Sequence, residues 1–287
     1  MVYLMISLLA WPLVRLSRRG RQAIVLCYHG VKPYQATRFD RQVGRLAARA
    51  IDVRDLMAAT AVNCRRPAVC FTFDDAFANL LDNALPVLRQ HGVPACIFVV
   101  SDNLGDRPRW RIEPDHPDAN ERVMTAEELR RVADSGLVTV GSHTCTHPNL
   151  ARLSPPALDQ ELRESRRQLS DLIGRPIEDL ALPHGSFTPA VLDAAFAAGY
   201  RRVYTLDPTP HMPGGAGPQV IGRFLMSPDV WRIEFLLTCA GAYAWLHPWR
   251  RFLRRLRRCG RDAAAVPVAR RGRMGRRTTC ARSTAVR

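Results

Sequence analysis

A chain of 287 residues with 47% apolar content is long enough to bury one full-sized α/β core and too apolar to be disordered throughout. Its +16 formal charge gathers at one end: residues 250–287 hold 14 Arg and one Asp, a balance of +13, while the remainder holds 28 basic and 25 acidic residues, +3. A body so close to neutral argues against a nucleic-acid-binding domain, and eight Cys with no C-x-x-C pair exclude a disulfide framework and read as buried free thiols of a reducing compartment.

Residues 1–14 are apolar, and Arg15, Arg18, Arg19 and Arg21 follow them. A secretory leader carries its charge before the apolar run, and this run is shorter than the roughly 20 residues that span a bilayer as a helix. The expectation is an N-terminal helix lying on a membrane surface or on the domain. Residues 22–28 read as the first strand, with His29-Gly30 at its C-terminal end. Residues 37–50 place Phe39, Val43, Leu46 and Ala47 on one helical face, and residues 55–61 read as a second short helix. V-C-F-T-F at residues 69–73 has the β-branched and aromatic content of a buried strand, and it runs straight into Asp74 and Asp75. Residues 79–91 read as a helix that Pro86 kinks and Gly92 stops, and residues 94–100 as the next strand. Residues 101–123 form a long polar loop of the kind that covers a site.

T-A-E-E at residues 125–128 is a capping box that opens a helix running to residue 135. Strands over residues 137–141, 177–182 and 203–206 alternate with helices over 154–173 and 188–198, and a Gly/Pro-rich loop occupies 207–218. Residues 231–256 read as one terminal helix, and the Arg-rich chain beyond Gly260 as disordered. Strand and helix alternating in this way predict a mostly parallel sheet, closed or nearly closed as a barrel. Neither nucleotide-binding fingerprint is present.

A strand cannot bury two unpaired carboxylates without a large desolvation cost. Asp74 and Asp75 therefore belong at the strand's C-terminal edge, where parallel sheets keep their ligand sites; the alternative is an Asp-Asp cap on the helix that follows. The second signal is His143-Thr144-Cys145-Thr146-His147. Two histidines so spaced can share one divalent cation, to which imidazole is suited, or they can simply cap and pack. Both groups stand just past a predicted strand, and parallel order puts those ends on one rim. Two His and one Asp would leave coordination positions open for water and substrate.

These residues resemble the polysaccharide deacetylase family related to the nodulation chitooligosaccharide deacetylase, and in motif pattern the poly-N-acetylglucosamine deacetylase-type members. Thr72-Phe73-Asp74-Asp75 matches the first motif, T-F-D-D. His143-Thr144 with His147 matches H-[ST]-x-x-H, and Leu182-Pro183-His184-Gly185 is similar to the third motif, R-x-P-[FY]-G. The resemblance covers roughly residues 24–224. It implies a distorted (β/α) barrel of the polysaccharide deacetylase kind, with Asp74 as general base and Asp75, His143 and His147 as ligands of a divalent metal ion, Zn²⁺ foremost. It also implies that the backbone N–H of His184 faces the developing oxyanion. Two departures stand out. The family Arg that braces the base falls at Ala181, and the late L-x-H motif with the general-acid His is not evident. Leu246-His247 lies beyond the core. Members with a Y-H at the first strand take the acid from there, which assigns it to His29; a bracing role toward the Asp pair is the alternative. His184 and His211 are weaker acid candidates, and His91 and His116 read as surface residues. Trp110 suits stacking on a sugar ring or packing equally.

The expected organisation is an N-terminal apolar, membrane-surface segment (residues 1–21), a catalytic domain (22–226), a terminal amphipathic helix (227–259) and a basic, disordered tail (260–287). The expected activity is metal-dependent hydrolysis of an N-acetyl, or alternatively O-acetyl, group on a glycan or lipid-linked sugar. The alternative is a catalytically weak glycan-binding protein on the same fold. The expected partners are an N-acetylated saccharide or polysaccharide and peripheral contact with an anionic membrane, with no nucleic acid. The expected location is the cytoplasm, peripheral at the inner membrane face.

Overall fold

The computed structural model describes residues 22–57, 67–110, 112, 118–212 and 217–243. Expectations for the N-terminal segment, for Leu246-His247 and for the basic tail lie outside the described residues, as does His116. The strands are β1 Ala23–Tyr28, β2 Ala68–Phe73, β3 Ala95–Val99, β4 Val138–Ser142, β5 Asp179–Ala181, β6 Arg202–Thr205, β7 Gln219–Gly222 and β8 Phe224–Leu225. They form one parallel sheet in the order β7-β6-β5-β4-β3-β2-β1-β8.

Ring closure depends on the last two strands, which sequence patterning does not predict. Only Arg223 separates them. The stretch 219–225 pairs through its first half with β6, from Arg202↔Gln219 to Thr205↔Gly222. Through its second half it pairs with β1, at Leu26↔Phe224 and Cys27↔Leu225. One short segment thus bridges the two edges of the sheet. Below it, His211 makes an antiparallel bridge with Ala23 at the start of β1. The result is a nearly closed barrel with helices around it.

Strand side chains alternate between two faces, and each face has its own core. Val25, Cys70, Cys96, Phe98, Tyr204 and Ile221 fill the barrel interior. Ile24, Leu26, Tyr28, Phe71 and Phe73 face the helices. On that outer side Phe39 sits edge-on to Tyr28, with ring centroids 5.5 Å apart.

The helices are α1 Ala36–Leu46, α2 Asn79–Asn83, α3 Leu85–His91, α4 Ala126–Asp134, α5 Pro155–Ile173, α6 Pro189–Ala197 and α7 Arg232–Cys239. Pro86 acts as expected, but as a break: α2 stops and α3 starts anew with the proline in its first turn. Thr125 and Glu128 form the capping box of α4. Of the expected terminal helix, α7 forms Arg232–Cys239 and stops there, with Gly241 at φ 75°; Phe235, Leu237, Cys239, Ala242 and Tyr243 are buried, and residues 244–256 of that expectation lie outside the described residues. Among the described residues no helix is long and apolar enough to cross a membrane.

Candidate active site

β2 delivers Asp74 and Asp75 to the C-terminal rim. The backbone then turns sharply, with Asp75 at φ 68° and Ala76 at φ 51°. Left-handed backbone costs an L-residue about 1–2 kcal/mol, and local bonds hold it here. The Asp74 N–H donates to Tyr28 O at 2.9 Å, and Met124 N–H donates to Ala76 O at 2.9 Å. β4 delivers His143 to the same rim. Its Nδ1 is 2.9 Å from Ala181 O, so the imidazole donates there and Nε2 presents its lone pair to the site. That Nε2 lies 3.8 Å from Asp75 Oδ1 and 3.9 Å from Asp74 Oδ2. His147 Nε2 lies 3.8 Å from the same Asp75 oxygen.

Asp75, His143 and His147 therefore present three ligand atoms within 4.8 Å of one another. Asp75 Oδ1 is buried and has no hydrogen-bond donor, an arrangement that is costly unless a cation completes it. Both imidazoles are held neutral, as ligands must be. Burial brings His143 down to about 4 against the pull of Asp74, and burial with the neighbouring His143 and His184 brings His147 down to about 2. Burial, then Asp74 and Asp118, push the Asp75 carboxyl well above the usual range. A carboxylate oxygen and two imidazole nitrogens around one gap is the donor set of a Zn²⁺-type site with open positions, so the residues present fit a divalent cation.

Asp74 is placed for a different task. Burial alone would raise its pKa, but Arg223 overcomes burial and holds the carboxyl well below the usual range. The Arg223 guanidinium donates from Nη1 to Asp74 Oδ1 at 2.6 Å and from Nη2 to Oδ2 at 2.9 Å, the two-pronged geometry that makes such pairs strong. Its Nη1 also reaches Thr72 Oγ1 at 3.3 Å, and its Nε reaches Thr205 O at 3.4 Å. Phe98 lies 5.2 Å below the guanidinium. The thiol of Cys27 donates to Asp74 Oδ2 at 3.3 Å. Ala181 indeed lacks the expected guanidinium, and the absence is made good from another strand: Arg223 sits where the last segment switches partners, with its side chain inside the barrel. The signal was legible, since an Arg inside V-I-G-R-F-L needs a buried carboxylate, but its partner lies 149 positions away in sequence.

The other candidates divide by position. His29 leaves the end of β1 half-buried, and its charge bears on Asp74, His143 and His147, which puts it on the same rim. The His184 side chain is exposed and its ring is 4.7 Å from that of His147; its backbone, at φ 58°, turns back at the end of β5. His211 pairs with Ala23 at the opposite end of β1 from His29, so it is not an acid for this rim. His91 bonds Asp40 at 2.8 Å between α3 and α1, away from the site. Trp110 comes from the long loop and sits 5.0 Å from the His147 ring at 33°, so one face of its indole covers a metal-ligand candidate.

Residues 61–203 match the family model described as polysaccharide deacetylase. The chain is 29% identical over 142 residues to a chitooligosaccharide deacetylase of Rhizobium leguminosarum bv. trifolii, covering 49% of this chain and 57% of that protein. It is 23% identical over 170 residues to a poly-beta-1,6-N-acetyl-D-glucosamine N-deacetylase of Staphylococcus aureus (strain MRSA252), covering 56% of this chain and 55% of that one. The chain thus spans about half the length of the curated relatives it matches. Among solved structures, IcaB from Ammonifex degensii superposes with a TM-score of 0.63 at 24% identity, over 79% of this chain and 99% of that one, a likeness of fold. The matched span holds Asp74, Asp75, His143, His147 and His184; His29 and Arg223 lie outside it.

Proposed function

Because the chain carries a polysaccharide deacetylase domain over residues 61–203, we propose that it hydrolyses an N-acetyl group, or alternatively an O-acetyl group, on a glycan or lipid-linked sugar, with residues 22–226 as the catalytic unit. One observation carries the reading: a buried Asp75-His143-His147 donor set, both of its imidazoles neutral, stands beside a carboxylate that Arg223 keeps ionised. A divalent cation, Zn²⁺ foremost, held by Asp75, His143 and His147 would polarise the acetyl carbonyl and acidify water. Asp74, ionised because of Arg223, takes the proton from the attacking water. The backbone N–H of His184 meets the negative charge that develops on the acetyl oxygen. His29 gives its proton to the leaving nitrogen. Arg223 also supports the hydrolase reading over the binding-protein alternative, because it gives Asp74 the guanidinium that Ala181 cannot. Acetate release from an N-acetylglucosamine oligomer, measured with added Zn²⁺ and again after chelation, tests this. Glycan binding without any acetate release would favour the alternative.

The acid role has its own test. An amine leaves poorly without a proton, whereas an aryl oxide departs as a stable anion. His29→Ala is expected to slow acetamide hydrolysis by about 10²-fold while an aryl acetate is slowed much less and metal content is unchanged. Equal slowing on both substrates rejects His29 as acid and leaves it a bracing residue.

A second reading concerns location. Trp231, Ile233 and Leu236 are 65%, 44% and 42% exposed at the start of α7, and in sequence they precede the 14 Arg of residues 250–287. We propose peripheral contact with an anionic membrane surface, where apolar side chains enter the interface and Arg meets headgroups. At low salt the full chain is expected to float with anionic vesicles and not with neutral ones; protein that stays at the bottom of both gradients removes the membrane contact.

A further inference from the structure

The segment that carries both histidine ligand candidates is strained. Thr144 and His147 are both in the left-handed region, at φ 69° and φ 60°, where an L-residue persists only if its surroundings hold it. Part of the holding is local. Thr144 N–H donates to Ser142 Oγ at 3.1 Å and His147 N–H donates to Thr144 Oγ1 at 3.1 Å. Two carbonyls are tied to the neighbouring loop: Ser101 N–H donates to Thr144 O and Asp102 N–H to Cys145 O, each at 3.1 Å.

The remaining donors converge on one side chain of α5. Glu161 Oε2 accepts the N–H of Cys145 at 2.9 Å and of Thr146 at 3.1 Å. Glu161 Oε1 accepts the Thr146 hydroxyl at 2.6 Å. The Cys145 thiol lies 3.6 Å from Glu161 O, so the helix backbone meets the same loop. One carboxylate thus satisfies three donors in the three residues between His143 and His147. An ionised acceptor makes each of these bonds stronger than a neutral one would, and none of them involves a ligand side chain.

We propose that Glu161 is a positioning residue for the cation site: through the Cys145 and Thr146 backbone it sets the approach of His147 to His143 and Asp75. The inference rests on the metal reading of those three residues. Replacing an outer partner of a metal site costs about 10–100-fold in affinity. Glu161→Gln keeps the volume but leaves one acceptor oxygen and turns an amide NH₂ toward a donor that the parent carboxylate satisfies.

The test is Zn²⁺ affinity of the full, metal-stripped chain, by competition with a chromophoric chelator, alongside the melting temperature of each metal-free protein. Glu161→Gln is expected to raise Kd by about 10–100-fold. Thr146→Ala removes one of the three bonds and is expected to raise it less, in the same direction. Glu164→Gln, on the same helix and paired with Arg167 in solvent, is expected to leave Kd unchanged. Parental affinity in Glu161→Gln overturns the inference, and so does equal weakening in Glu164→Gln, which would mean a general effect of α5. A lower melting temperature with unchanged Kd overturns it as well, leaving Glu161 a stabilising contact alone. A parent chain that takes up no Zn²⁺ overturns the metal reading, and this inference with it.

Discussion

Asp74→Asn is expected to keep its cation and lose about 10⁴-fold in turnover, the upper end of what a general base contributes. The amide cannot take a proton from water; its carbonyl oxygen keeps one of the two bonds from Arg223, while the buried guanidinium loses its counter-ion, so the loss of turnover comes with some loss of stability. Asp75→Asn is expected to do the reverse at the first step. It replaces one oxygen of the donor set with a neutral amide, so metal content falls and turnover falls with it. The contrast rests on geometry: Asp75 Oδ1 has no donor and faces both imidazoles at 3.8 Å, whereas both oxygens of Asp74 are engaged by Arg223. Elemental analysis of the two variants beside acetate-release rates decides the matter. Equal metal loss in both would abolish the division of labour between the adjacent carboxylates.

Arg223→Met is expected to slow turnover by about 10²-fold, the cost of a catalytic group displaced by an ångström or so, and to destabilise the fold by about 3–5 kcal/mol, because it leaves a buried carboxylate unpaired. The pair is thoroughly desolvated, with side-chain exposures of 0% and 4%. Chemical denaturation of Arg223→Met, Asp74→Asn and the double variant should yield a coupling energy of about 1.5–3 kcal/mol, and the double variant should recover stability without recovering activity. The pH dependence carries a sign. In the parent the folded Asp74 pKa is depressed, so its stabilisation is present above the unfolded value of about 3.9 and is lost as pH falls through the folded value. In Arg223→Met the main influence that lowers the pKa is gone and burial dominates over the weaker pull of His143 and His29, which raises the folded pKa and makes the ionised form costly. The stability gap between metal-free parent and variant should therefore widen as pH rises through the carboxylate range. A gap that is flat from acid to neutral pH would show that Arg223 does not hold the Asp74 charge.

Much of this molecule is written locally. The strand cores over residues 23–28, 68–73 and 95–99, the Thr125-Glu128 capping box and the helix stops at Gly92, Gly136 and Gly174 follow from hydrophobic period, side-chain hydrogen bonds and the freedom of glycine at positive φ. The carboxylate pair and the two histidines were legible for the same reason. Each lies within a few residues of a strand end, and parallel order alone brings strand ends to one rim. What the tertiary structure decided depends on partners far apart in the chain. The segment 219–225 is too short to announce itself as strand, and it becomes one by pairing with β6 and β1 at once. Arg223 becomes the brace of Asp74 because ring closure carries it inside the barrel, beside a carboxylate from β2. Ala181 looked like a missing charge because local matching assigns a role to a position, whereas electrostatics requires only a guanidinium within hydrogen-bond reach, from whichever strand supplies it. His29 and His211 are indistinguishable by residue type; β1 separates them, one at each end of the barrel.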